Sequence, residues 1–381
     1  MEISHTDIPK DFNFETYIGN YKGHTRIIRS LFIATQCDAL SIEAYKTAIH
    51  DIKQLTLNTT KYCQTVDSLN DKLRSRGQAI ISMDKEWIAN VQNKSKTILE
   101  TLENELKIAK QNVHKENIRT CYMKLGDFYY KKGDLQNAMK HYVRTREYCS
   151  TNEDILEMCF NTIKVYLDDC NFSNVIQTYI SRIEAIPHIL EKVNIISKLK
   201  CCQALALLGS VTADEISRYK SIAAALLDVS FEAVPQLSEI MSANDITIYA
   251  GLCALVSYDR RQFQTKVLNN ASFKNFLDVE PALYDLIEAF YKSKYTTCFY
   301  LLDKYAQTLE LDIHLQPHLN QLIQLVREKA MVQYCIPYNV IDMRKMAVAF
   351  NLELNELEDY LVILISKKEK ISARIDSHRK V

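Results

Sequence analysis

The sequence has 381 residues, enough for two or three domains and a sizeable core. Apolar residues make up 47% and charged residues 25%, and Lys plus Arg equals Asp plus Glu at 47 each, so the formal net charge is zero. A chain living on nucleic acid or an acidic membrane would show a basic surplus, and seven glycines with six prolines leave little material for doubly wound sheets, barrels or phosphate-binding loops.

Helices joined by short polar turns are the expected architecture. Tyr17, Tyr21, Ile28, Leu31 and Phe32 recur at near-helical spacing, followed by Ile42, Tyr45, Ile49 and Ile52, which predicts two or three amphipathic helices between Asp11 and Leu57. Between Asn58 and Lys96 the pattern weakens around the single Trp87, and a poorly packed or mobile connection is expected there. Ile98, Leu102, Leu106 and Ile108 begin a long helix that breaks near Gln111-Asn112.

The clearest internal pattern starts at Tyr122. Tyr122, Leu125-Gly126, Tyr129, Ala138 and Tyr142 fall where the roughly 34-residue tetratricopeptide repeat places aromatic, Leu-Gly, Tyr, Ala and aromatic residues. Gly133-Asp134 marks the turn between the paired helices, and the small Gly126 and Ala138 allow their close approach. Tyr166, Val175 and Tyr179 form a weaker echo about 37 residues on, and further helical pairs are predicted at Leu199–Leu227, Ile246–Leu268 and Leu283–Leu311. In the last pair, Phe290-Tyr291 and Tyr295 flank a Lys-Ser-Lys turn. Stacked pairs of this kind share one core and present extended surfaces to partners.

The end of the chain differs. Asp342 is placed to cap a short helix through Met343, Met346, Ala347 and Phe350, and Asn355 to cap a second one carrying Leu357, Leu361, Leu364 and Ile365. Ile371-Ser-Ala-Arg-Ile375 alternates as a half-buried strand should. Helix, turn, helix and strand together predict a winged helix. Such a module can read DNA with its second helix, but Glu353, Glu356, Glu358 and Asp359 would face phosphates there; Lys367, Lys368, Lys370, Arg374, Arg379 and Lys380 lie at its end and beyond. Nucleic acid is therefore not the expected partner.

Little points to catalysis. The phosphate-loop, dinucleotide and nucleophile-elbow glycine motifs are absent from the sequence. His314 and His318 stand four apart, but Leu315-Gln316-Pro317 intervenes where a metalloprotease needs Glu beside the first His. The carboxylate pairs Asp168-Asp169 and Glu356/Glu358-Asp359 are expected to be solvated charge. Eleven cysteines contain no Cys-x-x-Cys pair and are expected as buried, reduced thiols of a cytosolic or nuclear protein. Met1-Glu-Ile-Ser-His does not open a secretory signal, and no run of 18 apolar residues is present. No cofactor is expected.

A helical-repeat array ending in a winged helix resembles the PCI family, whose module is shared by the proteasome lid, the COP-nine signalosome and a translation initiation complex. The likeness is carried by Ile248-Tyr-Ala-Gly-Leu-Cys-Ala-Leu255 with Tyr258-Asp-Arg260, by Ser272-Phe-Lys274, by Phe290-Tyr-x-Ser-Lys-Tyr295, and by Gln333-Tyr334 with Pro337-Tyr338. Leu357-Glu-Asp359, Ile371-Ser-Ala-Arg-Ile-Asp-Ser-His378, Arg26 and Ile27 with Leu31-Phe-Ile-Ala34, and Leu125-Gly126-Asp127 extend it over nearly the whole chain. The pattern is most similar to the signalosome branch, with the proteasome lid branch as the alternative.

The resemblance implies an all-α tetratricopeptide-like solenoid followed by a small PCI winged helix. It divides the chain into an N-terminal helical region (1–112, with the weak connection near 58–96), a solenoid (113–334) and the winged-helix part (335–381). It implies a non-catalytic scaffold of a complex that removes a ubiquitin-like modifier from cullins. The zinc isopeptidase centre, with its His-x-His motif, lies in another subunit, and this sequence contains no His-x-His. Implied partners are other PCI and isopeptidase-type subunits and, indirectly, cullin-RING ligases, in cytoplasm and nucleus. The strand edge at Ile371, Ala373, Arg374 and Ile375, with Lys367 and Lys368, is the expected docking element, since an open strand exposes unpaired backbone groups. A second wing strand and a long C-terminal helix follow in the family; this sequence reaches Val381 before them, so an incomplete wing is expected.

Overall fold

The computed structural model describes residues 12–187, 192–210, 214–366, 373–376 and 378–380, and every regular element among them is helical. The chain forms two compact units, one from Met1–Val211 with Glu232–Ser242 and one from Thr212–Phe231 with Ala243–Val381.

In the first unit, α1 (Phe14–Gly19) is capped by Asn13, whose side chain accepts from the Thr16 N–H. α2 (Gly23–Gln36) and α3 (Ser41–Leu55) pack through Ile27, Ile33, Ala34, Ala44, Ala48 and Ile52, all fully buried. Alanine at three of those positions lets the two backbones come close. Arg26 of α2 ties to the buried Asp51 of α3 at 2.8 Å. Arg29 is buried with its guanidinium 4.2 Å over the Tyr21 ring, and it donates to the Tyr17 hydroxyl at 2.5 Å.

The stretch expected as a poorly packed connection is instead helical. α4 (Thr59–Ser75) starts at Asn58, which accepts from the Lys61 N–H, and α5 (Lys85–Gln111) starts at Asp84, which accepts from the Trp87 N–H. The composition of α4 is polar, yet Tyr62, Val66, Leu69 and Leu73 recur every three or four residues and all are buried. One narrow stripe suffices, because Tyr62 and Val66 join the core already formed by Ile27 and Ile52, with Trp87 packed against it. α5 ends at Asn112, as its pattern predicts.

α6 (Lys115–Lys132) and α7 (Leu135–Arg144) are the predicted tetratricopeptide hairpin. Gly133 closes α6 in the left-handed conformation at φ +84°, and Asp134 caps α7 by accepting from the Asn137 N–H. A Cβ on Gly126 would fall 2.5 Å from Cε1 of Tyr142, so glycine is what lets that ring cross α6. The Tyr142 hydroxyl donates to Asp127 at 2.5 Å.

A Thr151/Asp154 capping box opens α8 (Asn152–Asp168). α9 (Phe172–Asn174) continues through a π-helical stretch, Val175–Ile180, into α10 (Ser181–Glu184). The echo residues Val175 and Tyr179 are buried there, and the Tyr166 and Tyr179 rings lie 5.5 Å apart. α11 (Val193–Gly209) completes this layer. The chain then gives α12 (Glu215–Leu227) to the second unit and returns with α13 (Val234–Leu237) to the first. The predicted pair Leu199–Leu227 thus covers helices of different units.

The second unit is organised on α14 (Ala243–Ser257), which is buried on every side. Ile246 to Val256 is an almost unbroken apolar run, Gly251 leaves room for Leu283, and the Tyr249 hydroxyl donates to Asp312 at 2.7 Å. α15 (Arg260–Phe263) passes into a π-helical stretch, Gln264–Leu268, and α16 (Ala271–Leu277) follows. α17 (Pro281–Tyr291) and α18 (Tyr295–Leu309) flank the Lys292-Ser293-Lys294 turn, and α19 (Leu319–Cys335) lies beyond.

α20 (Met343–Phe350) is capped by Asp342, which accepts from the Arg344 N–H, and ends at Asn351 with φ +51°. α21 (Leu354–Ser366) begins one residue before the predicted cap, so Asn355 lies inside its first turn. Among the described residues of the predicted strand none is extended into a ladder: Ala373, Arg374 and Ile375 have irregular backbone, and Ile371 and Ser372 lie outside the described residues. A lone strand needs a ladder partner, and the described residues contain none. The backbone turns away at Asp376, whose carboxylate accepts from the His378 and Arg379 N–H groups. The Lys380 carbonyl then accepts from the Met343 N–H at 3.0 Å.

Candidate interaction surfaces

The C-terminal helices are anchored to the repeat by one aromatic side chain. Phe350 stacks on Tyr295 of α18 at 4.8 Å and lies 5.5 Å from both Phe299 and Tyr334. The Thr296 hydroxyl donates to the Ala349 carbonyl at 2.7 Å. Beside this joint, α18, α19, α20 and α21 enclose a cleft of about 460 Å³ whose lining includes Tyr300, Met331, Leu352 and Tyr360. Its rim carries Arg327 paired to Asp303 at 2.6 Å. One ion pair over a largely apolar floor suits side-chain docking.

Leu357, Leu361 and Leu364 fill the inner face of α21, yet Val362 and Ile363 point outward at 52% and 46% exposure. Val348 of α20 is 78% exposed, and Ile336, Tyr338 and Val340 before it are 76%, 55% and 74% exposed. Isolated exposed apolar residues are ordinary; six from a segment this short make it a candidate interaction surface. Sequence reasoning missed them, although the apolar run Leu361–Ile365 is wider than one buried stripe requires. Of the expected docking residues, Ala373 and Arg374 are exposed and Ile375 is half-buried; Lys367, Lys368 and Ile371 lie outside the described residues.

The buried thiols are held in their protonated form. Burial pushes the Cys159 thiol up to about 11 and those of Cys202, Cys253 and Cys298 up to about 12, far from the thiolate a nucleophile needs. Asp168 is only partly solvated, where free solvation is expected. It accepts from the Tyr130 hydroxyl at 2.6 Å and lies 3.0 Å from Nδ1 of His24. Burial, then the Asp168 charge, raises the Tyr130 pKa well above its usual range, the reverse of activation. Glu358 is likewise half-buried, in a 2.8 Å pair with Lys380.

Lys329 donates to the Leu255 and Tyr258 carbonyls at the end of α14, and burial pushes its pKa down to about 8. That geometry caps a helix. The four-residue spacing of His314 and His318 does not fall on one α-helix: His314 lies in a turn, and His318 ends the 3-10 turn Gln316–His318. Among the described residues no three His, Cys, Asp or Glu side chains are grouped to hold a metal ion, and no helix is long and apolar enough to cross a membrane.

Comparison with known proteins brings these observations together. Residues 84–266 match the family described as 26S proteasome subunit RPN7, and residues 302–381 match the PCI domain. The chain is 38% identical over 372 residues to COP9 signalosome complex subunit 1 of Arabidopsis thaliana, covering 97% of this chain and 81% of that protein. It is 32% identical to COP9 signalosome complex subunit 1b of Drosophila melanogaster, covering 97% and 78%. Similarity to 26S proteasome non-ATPase regulatory subunit 6 of Oryza sativa subsp. japonica is 20% identity, covering 95% and 90%.

Proposed function

We propose, from the premise that the chain belongs to the COP9 signalosome complex subunit 1 family, that it is a non-catalytic scaffold subunit of a signalosome. In this reading it positions other PCI subunits and an isopeptidase-type subunit, which removes a ubiquitin-like modifier from cullins. The observation that carries the reading is similarity along 97% of the chain to a protein of that name. The raised thiol and phenol pKa values and the exposed apolar residues of α20 and α21 support it.

The three-part division at 112/113 and 334/335 belongs to the same proposal. So do docking through Ala373, Arg374 and Ile375 with Lys367, Lys368 and Ile371, indirect engagement of cullin-RING ligases, and residence in cytoplasm and nucleus. A place in the proteasome lid is the alternative; 20% identity to the lid-type relative against 38% to the signalosome-type one favours the signalosome. Two assays test the role. Depleting the chain from cells should accumulate modifier-conjugated cullin, and adding the purified chain alone to conjugated cullin should leave it intact. Cleavage by the chain alone would end the scaffold reading, and unchanged conjugation on depletion would end the signalosome one.

A further inference from the structure

The zero net charge hides a local surplus. Between Lys107 and Tyr148 there are ten Lys and Arg against four Asp and Glu, so the rest of the chain is acidic by the same margin. Part of this surplus converges on one tier of rings in the α5–α7 layer. His141 stacks on Tyr129 with centroids 5.1 Å apart and planes 5° apart. Tyr122 lies 6.0 Å from His141 and 5.8 Å from Tyr148. Lys110, at the end of α5, holds its ammonium 5.2 Å over Tyr122, while Lys140 and Arg144 stand one turn apart on α7, on either side of His141.

Burial, then the Arg144 charge, with smaller contributions from Lys110 and Lys140, holds the His141 pKa below its usual value against the pull of Asp134. All three cations therefore reach the same imidazole. Each is exposed, and none forms an ion pair with a carboxylate of the described residues. The nearby acids are engaged or set back: Asp134 caps α7, Asp127 holds the Tyr142 hydroxyl, and Glu103 acts on Tyr129. Nδ1 of His141 is buried without a hydrogen-bond partner among the described residues.

We propose that this α5–α7 tier docks an acidic peptide segment of a partner protein, with its carboxylates on Lys110, Lys140 and Arg144. The Tyr122 ring fixes the Lys110 ammonium, so less of that side chain's entropy is lost on binding, and α7 presents Lys140 and Arg144 one turn apart. Interleaved with the cations in sequence are exposed aliphatic residues, Ile108 at 57%, Val113 at 77% and Val143 at 39%, which suit the apolar side chains of a peptide. Nucleic acid fits less well. Base stacking needs open aromatic faces, and Tyr122 is only 4% exposed.

The test is fluorescence anisotropy of the full chain with a labelled peptide of Asp, Glu and Leu, its Asn/Gln counterpart, and an oligouridylate of equal charge, at about 50 mM salt. The proposal expects the acidic peptide to bind and the amide peptide not to. Affinity should fall at least ten-fold in a Lys110→Ser, Lys140→Ser, Arg144→Ser variant. It should hold in a charge-matched variant with Lys94, Lys96 and Lys274 changed to Ser, all exposed elsewhere. Equal loss in both variants would overturn the proposal in favour of bulk charge. Tighter binding of oligouridylate, lost in the first variant, would make the surface a nucleic-acid site, and no binding of the acidic peptide by the unaltered chain would sink it outright.

Discussion

Replacing Gly126 with Ala sets two effects of opposite sign against each other. In an open helix the change stabilises by about 1 kcal/mol, because glycine loses more backbone entropy. Here the new Cβ would lie 2.5, 2.6 and 2.9 Å from three ring carbons of Tyr142, well inside the ~3.5 Å carbon contact distance. The ring cannot swing aside. It is 3% exposed, and its hydroxyl is held by Asp127 at 2.5 Å. Overpacking of this kind costs ~1–3 kcal/mol, and loosening a hydrogen bond to a carboxylate costs up to ~1.5–3 kcal/mol more. The clash wins, with a net loss of about 2 kcal/mol. For a unit of this size that lowers the melting temperature by roughly 4–8 °C, measured by circular dichroism on the full chain. In a Tyr142→Leu background the same Gly126→Ala change should be neutral or stabilising. A rise in melting temperature for Gly126→Ala alone, or an equal loss in both backgrounds, would refute the close-approach argument.

Gly133→Ala should cost more than a helix-cap change of ~1 kcal/mol, because φ is +84° and the added Cβ would meet the Asn58 amide at 1.9 Å; a melt matching the unaltered chain would contradict this. Arg26→Ala leaves the buried Asp51 without its 2.8 Å partner. A loss of about 1–3 kcal/mol is expected, discounted because Arg26 is partly exposed, and adding Asp51→Ala should recover part of it in chemical denaturation. Cys170, which is exposed, should react with a thiol reagent in the folded chain, while Cys202, Cys253 and Cys298 should react only after unfolding. Fast native labelling of those three would be evidence against their burial. Their pKa values of about 12 lie above the 9.0 of an open thiol. Their contribution is therefore intact below about pH 9 and is lost as pH rises toward 12, which alkaline denaturation curves should display.

The parts of the fold legible in the sequence are those where one residue type answers one local need. Gly126, Gly133 and Ala138 announce close approach and a left-handed turn, so the α6–α7 hairpin could be drawn in detail. Asp342 likewise announces the start of α20. Where the decisive partner is remote, the reading failed. α4 has few apolar residues, and their stripe gains meaning only against Ile27 and Ile52. Asp168 reads as solvated until Tyr130 and His24 are brought to it. Ile371-Ser-Ala-Arg-Ile375 alternates correctly, but alternation does not supply a partner strand. The surface residues of α20 and α21 were hidden for a related reason: an apolar run such as Leu361–Ile365 does not say which of its faces the core will take. The cations of the α5–α7 tier were hidden by the chain's overall balance.

The most direct test of the scaffold account is affinity purification of the tagged full-length protein from cells, with mass spectrometry of what accompanies it. The account predicts the remaining signalosome subunits together with cullins. Recovery of proteasome lid and base subunits instead, with no signalosome subunit present, would contradict it.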